Sequence, residues 1–143
     1  MHDAYVNAYE ADSVSAFGGI VALNREVDAA TAEEMSKIFL EVIMAPAFTK
    51  EALEILEGKK NIRLIELSKP ESGQVTVKKV SGGLLVQTED DIQEDRANYK
   101  VVTKVQPTEE QWKALEFAWK LVKHVKSNAI LISNEKRTPV SYT

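Results

Sequence analysis

Short apolar runs bounded by glycine, proline and polar residues recur along the chain and predict strands. The first run extends from Phe17 to Leu23 and has the pair Gly18-Gly19 near its start, a pattern typical of a buried strand. The same pattern recurs at residues 43–46, 61–67 and 129–132. Each run is short enough for a strand and too short for an independent helix.

Three longer stretches carry apolar residues at helical spacing, and each begins with a residue able to cap a helix. The helices predicted are 31–41, 49–57 and 108–124. Capping-box patterns begin the first and third of them, at Thr31/Glu34 and Thr108/Gln111. In the third, Trp112, Leu115 and Trp119 form one apolar stripe, which predicts that this face packs into a core.

Strands and helices alternate along much of the chain, which favours an α/β fold with a largely parallel or mixed sheet. The runs 75–77 and 83–86 flank a Ser81-Gly82-Gly83 turn and are interpreted as two more strands. The acidic stretch 87–100 is predicted to be an insertion or a mobile loop. A length of 143 residues fits one domain, 1–143.

Composition excludes several classes of function. The net charge is −4, so no global basic field favours binding to nucleic acid. The sequence has no cysteine and two histidines, which excludes zinc-thiolate sites and argues against a multi-histidine metal site. No apolar run approaches the length needed to cross a membrane, and the start lacks a signal-peptide pattern. A protein that binds neither membrane nor metal is therefore expected, and the absence of cysteine is compatible with a reducing cytosol without showing it.

Two positions are candidates for ligand contact. Gly18-Gly19 can let a ligand approach the backbone, because glycine has no Cβ; the alternative is a bulge or tight packing at the start of a strand. The side-chain amide of Asn128 offers both a donor and an acceptor, which suits a carboxamide or a heterocycle edge. The alternative for Asn128 is a residue that holds a turn.

Two further features carry ionisable groups. Glu41 lies at the end of the predicted helix 31–41, where a partly buried carboxylate would need a partner such as a ligand; the alternative is a surface position. Lys123-His124 can be interpreted as a catalytic pair, but the residue pattern favours a helix C-terminus, where cations meet the negative end of the dipole.

Taken together, these segments resemble the bifunctional purine biosynthesis family. That family joins phosphoribosylaminoimidazolecarboxamide (AICAR) formyltransferase to IMP cyclohydrolase. The stretches that carry the resemblance are Ser15–Asn24, Ala30–Pro46, Glu51–Arg63, Gly82–Gln87 and Val101–Ile130. Several long motifs in the same order make the match specific, and it covers most of the chain up to about residue 132.

The resemblance places the chain inside the formyltransferase portion, as an internal fragment. It implies a cytidine-deaminase-like, three-layer α/β/α architecture with a mixed sheet, present here as an incomplete domain. The family transfers a formyl group from 10-formyltetrahydrofolate, a co-substrate rather than a tightly bound cofactor, to AICAR. It also implies a cytoplasmic homo-oligomer.

Carried over residue by residue, the resemblance assigns AICAR contacts to Gly18, Glu41 and Asn128. It assigns no catalytic residue and no metal ligand. The family's catalytic Lys-His pair precedes an Asn-Pro-Cys-Gly-type sequence that this chain lacks, and Lys123-His124 is not that pair. The isolated chain is therefore expected to be inactive.

Two departures stand against this resemblance. Val105 occupies a position where the family is expected to have arginine, and residues 133–143 form an atypical tail in place of a glycine-rich, arginine-bearing segment. The alternative is a freestanding, non-catalytic α/β module that binds a ligand or regulates a partner. Such a module would bind its ligand tightly without any other segment.

Overall fold

The computed structural model describes residues 1–68, 75–90, 92, 95–138 and 140–142, the last three in backbone only. The chain divides into two compact units. The first comprises Met1–Ser68 and Pro107–Thr143, and the second comprises Lys69–Gln106. Parts of the 87–100 stretch, at residues 91, 93 and 94, lie outside the described residues.

Helices and strands alternate in the first half of the chain. In order, the elements are α1 His2–Ala11, β1 Gly19–Ala22, α2 Ala29–Met35, β2 Leu40–Ala45, α3 Lys50–Glu57, β3 Arg63–Glu66, β4 Val75–Val80, β5 Gly83–Thr88, α4 Glu109–Val122, β6 Ile130–Ile132 and β7 Val140–Tyr142. A short 3₁₀ helix also spans Arg96–Asn98. The α/β class predicted from the alternation is confirmed.

The centre of the first unit is a three-stranded parallel sheet in the order β1-β2-β3. Helices α2 and α3 pack against each other beside it, as expected for strand–helix–strand connections. The core contains Met35, Leu40, Ile43 and Leu56, each at most 1% exposed. Ile43 pairs with Val21 on one side and with Leu64 on the other, so the best-buried strand is the central one.

The remaining strands form antiparallel pairs rather than joining the parallel sheet. Strands β6 and β7 pair in the first unit, and β6 contacts α4. In the second unit, β4 and β5 form a hairpin around the turn at Gly82, as the sequence predicted. Parallel and antiparallel pairings therefore lie in separate sheets, and no mixed sheet is present among the described residues.

Two helix boundaries follow the predicted caps. The side chain of Thr49 accepts a hydrogen bond from the backbone of Ala52 at the start of α3, which Gly58 ends. Thr108 and Gln111 form a complete capping box at the start of α4. The prediction of helices near 49–57 and 108–124 is confirmed to within two residues.

The predicted helix 31–41 is wrong in its second half, since α2 ends at Met35. Residues 40–45 form strand β2 instead, and Ile38 and Phe39 lead into that strand. The predicted cap is also wrong. Asp28, not Thr31, caps α2, and Thr31 is fully buried with its hydroxyl donating to the Asp28 carboxylate.

Two expectations about burial are also wrong. Strand β1 was predicted to be buried, but it is an edge strand, and Phe17 and Ile20 are 73% and 65% exposed. The stripe on α4 was predicted to be core, but no residue of α4 is buried, and Trp119 is 56% exposed. Both patterns identified an apolar face correctly, without determining whether the described residues cover it.

The Asp28 cap makes stability depend on pH. Its carboxylate accepts hydrogen bonds from the Thr31 hydroxyl at 2.6 Å and from the Thr31 backbone N–H at 2.8 Å. Both bonds lower the pKa of Asp28 below its ordinary value of 3.8, and the bond from the Thr31 hydroxyl has the larger effect. Because the folded-state pKa is depressed, the stabilisation is present above pH 3.8 and is lost as the pH falls through the folded-state pKa.

Asp28→Ala is therefore expected to cost about 0.5–2 kcal/mol of unfolding free energy near neutral pH, and less below the unfolded-state pKa. Urea unfolding across this acidic range measures the difference. Thr49→Ala is the matched control, because its hydroxyl cap does not titrate. A cost of Asp28→Ala that stays as constant with pH as the control's would contradict the assignment.

Candidate functional site

Two of the three candidate ligand positions lie at one edge of the parallel sheet, namely the edge formed by the N-terminal ends of its three strands. Gly19 pairs with Leu40, and Val42 pairs with Arg63, so β1, β2 and β3 all begin at this edge. Gly18 directly precedes β1, and Glu41 is the second residue of β2. The parallel arrangement thus brings together two residues that are 23 positions apart in sequence.

The backbone at Gly18 has a conformation that favours glycine. Its φ is +74°, and its N–H donates a hydrogen bond of 2.8 Å to the carbonyl oxygen of Phe39. No heavy atom would lie within 4 Å of a Cβ at this position, so one side of the Gly18 backbone faces open space. A ligand can approach the chain there without displacing protein atoms.

Gly19 has a different role. A Cβ at this residue would lie 2.9 Å from the carbonyl oxygen of Ala16, closer than real Cβ contacts allow. The strand register also shifts between Gly19 and Ile20. The bulge or tight-packing interpretation of the glycine pair therefore describes Gly19, whereas the close-approach interpretation remains open for Gly18.

Glu41 does not lie at the end of a helix, contrary to the sequence interpretation. It is an exposed residue of β2, between the buried Leu40 and the partly buried Val42. Of the two interpretations of Glu41, a partly buried carboxylate or a surface residue, its exposure agrees with the second. An exposed carboxylate can accept hydrogen bonds from the amine or hydroxyl groups of a polar ligand.

An aromatic pair beside Gly18 was not identified from the sequence. The rings of Phe17 and Phe39 lie 5.6 Å apart between centroids, at 54° to each other. The sequence signal was present in the run Ile38–Ala45, whose aromatic and β-branched residues are typical of a strand. Interpretation of the first part of this run, up to residue 41, as the end of a helix hid the contact, because it placed Phe39 on a helical stripe.

Asn128 is distant in sequence from Gly18 and Glu41 and lies in the connection between α4 and β6. It is exposed, and its Oδ1 accepts a hydrogen bond of 3.1 Å from the Ser127 hydroxyl. This bond uses one acceptor position of the amide and neither of its donor hydrogens. Among the described residues, no hydrogen bond or strand pairing joins Asn128 to Gly18 or Glu41.

Lys123 and His124 lie at the C-terminal end of α4, as the favoured sequence interpretation predicted. Lys123 is the C-cap residue, and its N–H and that of His124 both donate to the carbonyl of Leu121. Both residues are exposed. The position matches cations that meet the negative end of a helix dipole.

Within the part of the chain that the structure describes, no group of three or more histidine, aspartate or glutamate side chains is placed to hold a metal ion. No helix in that part is both long and apolar enough to cross a bilayer. The groups that the structure describes at this edge are a backbone position open to solvent at Gly18, the exposed carboxylate of Glu41 and the aromatic pair of Phe17 and Phe39.

Comparison with known proteins gives one consistent result. The sequence model of the AICARFT/IMPCHase bienzyme family matches residues 1–140. The chain is 53% identical over 140 residues to the bifunctional purine biosynthesis protein PurH of Bacillus thuringiensis (strain Al Hakam) and of Bacillus cereus (strain G9842). The same protein of Bacillus anthracis (strain CDC 684 / NRRL 3495) has the same identity. In each case the match covers 96% of this chain and 27% of the relative, so the chain spans about a quarter of the relatives' length.

Proposed function

The chain belongs to the AICARFT/IMPCHase bienzyme family, and on this premise we propose that it forms part of the enzyme that formylates AICAR in purine biosynthesis. The observation that carries the proposal is a family match that extends over residues 1–140, almost the whole chain. The formyl donor in this proposal is 10-formyltetrahydrofolate, which acts as a co-substrate and not as a resident cofactor.

The role proposed for this segment is to position the acceptor nucleotide. The reaction joins the 5-amine of AICAR to the formyl carbon of the folate, and this amine is a weak nucleophile. Its alignment with the formyl carbon therefore contributes much of the rate. Gly18 would offer its open backbone to the nucleotide, Glu41 would accept hydrogen bonds, and Asn128 would pair with the carboxamide.

The proton transfers would be carried out by other residues of the enzyme. Lys123 and His124 lie at the C-terminal end of α4, 82 and 83 positions along the chain from Glu41. A general acid or base must lie within hydrogen-bond reach of the proton it moves. We therefore assign no catalytic residue to this segment.

The finer fold and the assembly belong to the same proposal. We propose that the parallel sheet with α2 and α3 on it is one part of a three-layer, cytidine-deaminase-like α/β/α domain of a cytoplasmic enzyme. Exposed apolar side chains on β1 and β6, Ile20, Ile130 and Ile132, support association of the enzyme into a homo-oligomer, because such surface favours burial. Light scattering over a concentration series would report this association.

A segment exchange tests the positioning role. Residues 1–140 replace the matching quarter of a full-length Bacillus relative, and calorimetric titration with AICAR follows. Asn128→Ala in this chimera is expected to weaken AICAR binding by a few-fold to tens of fold, since a lost hydrogen bond costs about 0.5–1.5 kcal/mol and more if it leaves a buried partner unsatisfied.

Lys123→Ala is the matched control, since Lys123 is also exposed near the same α4–β6 connection. It is expected to change AICAR affinity less than Asn128→Ala does. A silent Asn128→Ala beside a damaging Lys123→Ala would remove the assignment of these residues. A chimera that folds, by circular dichroism, and binds no AICAR would remove the proposed function itself.

A further inference from the structure

A cleft of about 310 Å³ lies where the C-terminal ends of α2 and α3 meet the segments that enter β2 and β3. Its lining combines two kinds of side chain. The residues that matter are Lys37, Lys59, Lys60, Ile38, Phe39 and Ile62. The three lysines are exposed, and the three apolar residues are half-buried. The cleft therefore has a cationic rim and an apolar wall.

The charge of this cleft is only partly compensated within the described residues. Lys37 forms an ion pair with Glu34, one turn back along the chain. Neither Lys59 nor Lys60 has a carboxylate within ion-pair distance among the described residues. In the part of the chain that the structure describes, the cleft is lined by three lysines and by no aspartate or glutamate, although the net charge of the chain is −4, and charges of one sign in a cleft focus the local field.

Helix ends account for part of this arrangement. Lys37 follows α2 by two residues, and Lys59 and Lys60 follow α3 closely, where cations interact favourably with the last carbonyl groups. This interaction accounts for each lysine separately. It does not account for the convergence of lysines from two helices on one cleft, nor for the apolar wall between them.

We propose that this cleft binds a small organic phosphate. The lysine ammonium groups would hold the phosphate as point charges, and Phe39 with its apolar neighbours would contact the organic part. The volume favours an organic ligand over inorganic phosphate alone, since small-ligand pockets begin at about 300 Å³. The cleft shares Phe39 with the aromatic pair beside Gly18, but Gly18, Glu41 and Asn128 do not line it, so the proposal does not rest on the proposed function.

Calorimetric titration of the 143-residue chain with AMP as the probe tests this inference, with adenosine as the uncharged comparison. AMP is expected to bind in a salt-sensitive manner, and adenosine to bind much more weakly. Lys59→Ala combined with Lys60→Ala is expected to weaken AMP binding about tenfold or more, because two charge-assisted contacts are lost.

Control variants distinguish the cleft from the rest of α3 and from the edge of the parallel sheet. Lys50→Ala removes an exposed lysine of α3 that pairs with Glu54 outside the cleft, and it should leave AMP binding unchanged. AMP binding that the Lys59→Ala, Lys60→Ala variant keeps, and that Glu41→Gln combined with Asn128→Ala loses, would assign the probe to the other site and overturn the inference.

Two further outcomes would also overturn it. One is the absence of AMP binding at millimolar concentration in a chain that unfolds cooperatively in urea. The other is a lysine pair that lowers the free energy of unfolding and leaves AMP affinity unchanged, which would restrict these lysines to stabilising helix ends. Neither outcome would bear on AICAR binding by the chimera, so the two proposals fail independently.

Discussion

Ile43→Ala is expected to lower the free energy of unfolding by about 2–5 kcal/mol, the usual cost when a buried isoleucine is truncated to alanine. Ile43 is fully buried on the central strand β2, between β1 and β3. Truncation would remove apolar contacts from the centre of the core and leave a cavity that the paired strands cannot close. Urea unfolding followed by circular dichroism measures the loss.

Ile20→Ala is the matched control for this substitution. It removes the same atoms from a residue that is 65% exposed on the edge strand β1. The cost expected for this exposed position is at most about 0.5 kcal/mol. Equal costs at the two positions would show that the chain does not pack its sheet as described, and a larger cost at Ile20 would place the core on the opposite face.

The isolated 143-residue chain is expected to transfer formyl groups at less than about one thousandth of the rate of a full-length Bacillus relative, because general acid–base catalysis alone contributes roughly 10²–10⁴-fold. In the proposed function the segment supplies positioning groups only, and the Lys-His motif of the family resemblance is not part of its sequence. A folate-coupled absorbance assay with AICAR measures the rate.

The chimera of residues 1–140 with a Bacillus relative is the positive control for this assay. Turnover that co-purifies with the isolated chain, and that Asn128→Ala reduces, would contradict the assignment of proton transfer to other residues. Turnover that Asn128→Ala leaves unchanged would indicate a contaminating enzyme, and a second purification step would then remove it.

Local signals predicted the elements that depend on local interactions. The caps at Thr49 and Thr108 were identifiable because each hydroxyl accepts a hydrogen bond from the backbone N–H only three residues further along the chain. The prediction for the run 36–42 failed because its apolar spacing also fits a helix. Pairing with β1 and β3 selects the strand in the structure, and no local pattern reports a pairing between distant segments.

The candidate site was predictable to a similar degree. Gly18 and Glu41 could be placed together only once both were assigned to parallel neighbouring strands, and the helix predicted over 31–41 prevented this for Glu41. The cationic cleft was not identified, because Lys37 and Lys59 are 22 positions apart and each resembles an ordinary charge after a helix. Their convergence depends on where the C-terminal ends of α2 and α3 lie relative to each other in the folded chain.

The β4–β5 hairpin has a consequence for how the chain behaves at high concentration. Its apolar side chains are exposed on both faces, which is typical of segments that stack into fibrils. Lys78 and Lys79 are consecutive on β4, so their side chains point to opposite faces. In-register stacking of many copies would place the same lysine of successive hairpins two strand spacings apart, about 9.6 Å, on each face, and the repulsion between these like charges disfavours growth of such a stack.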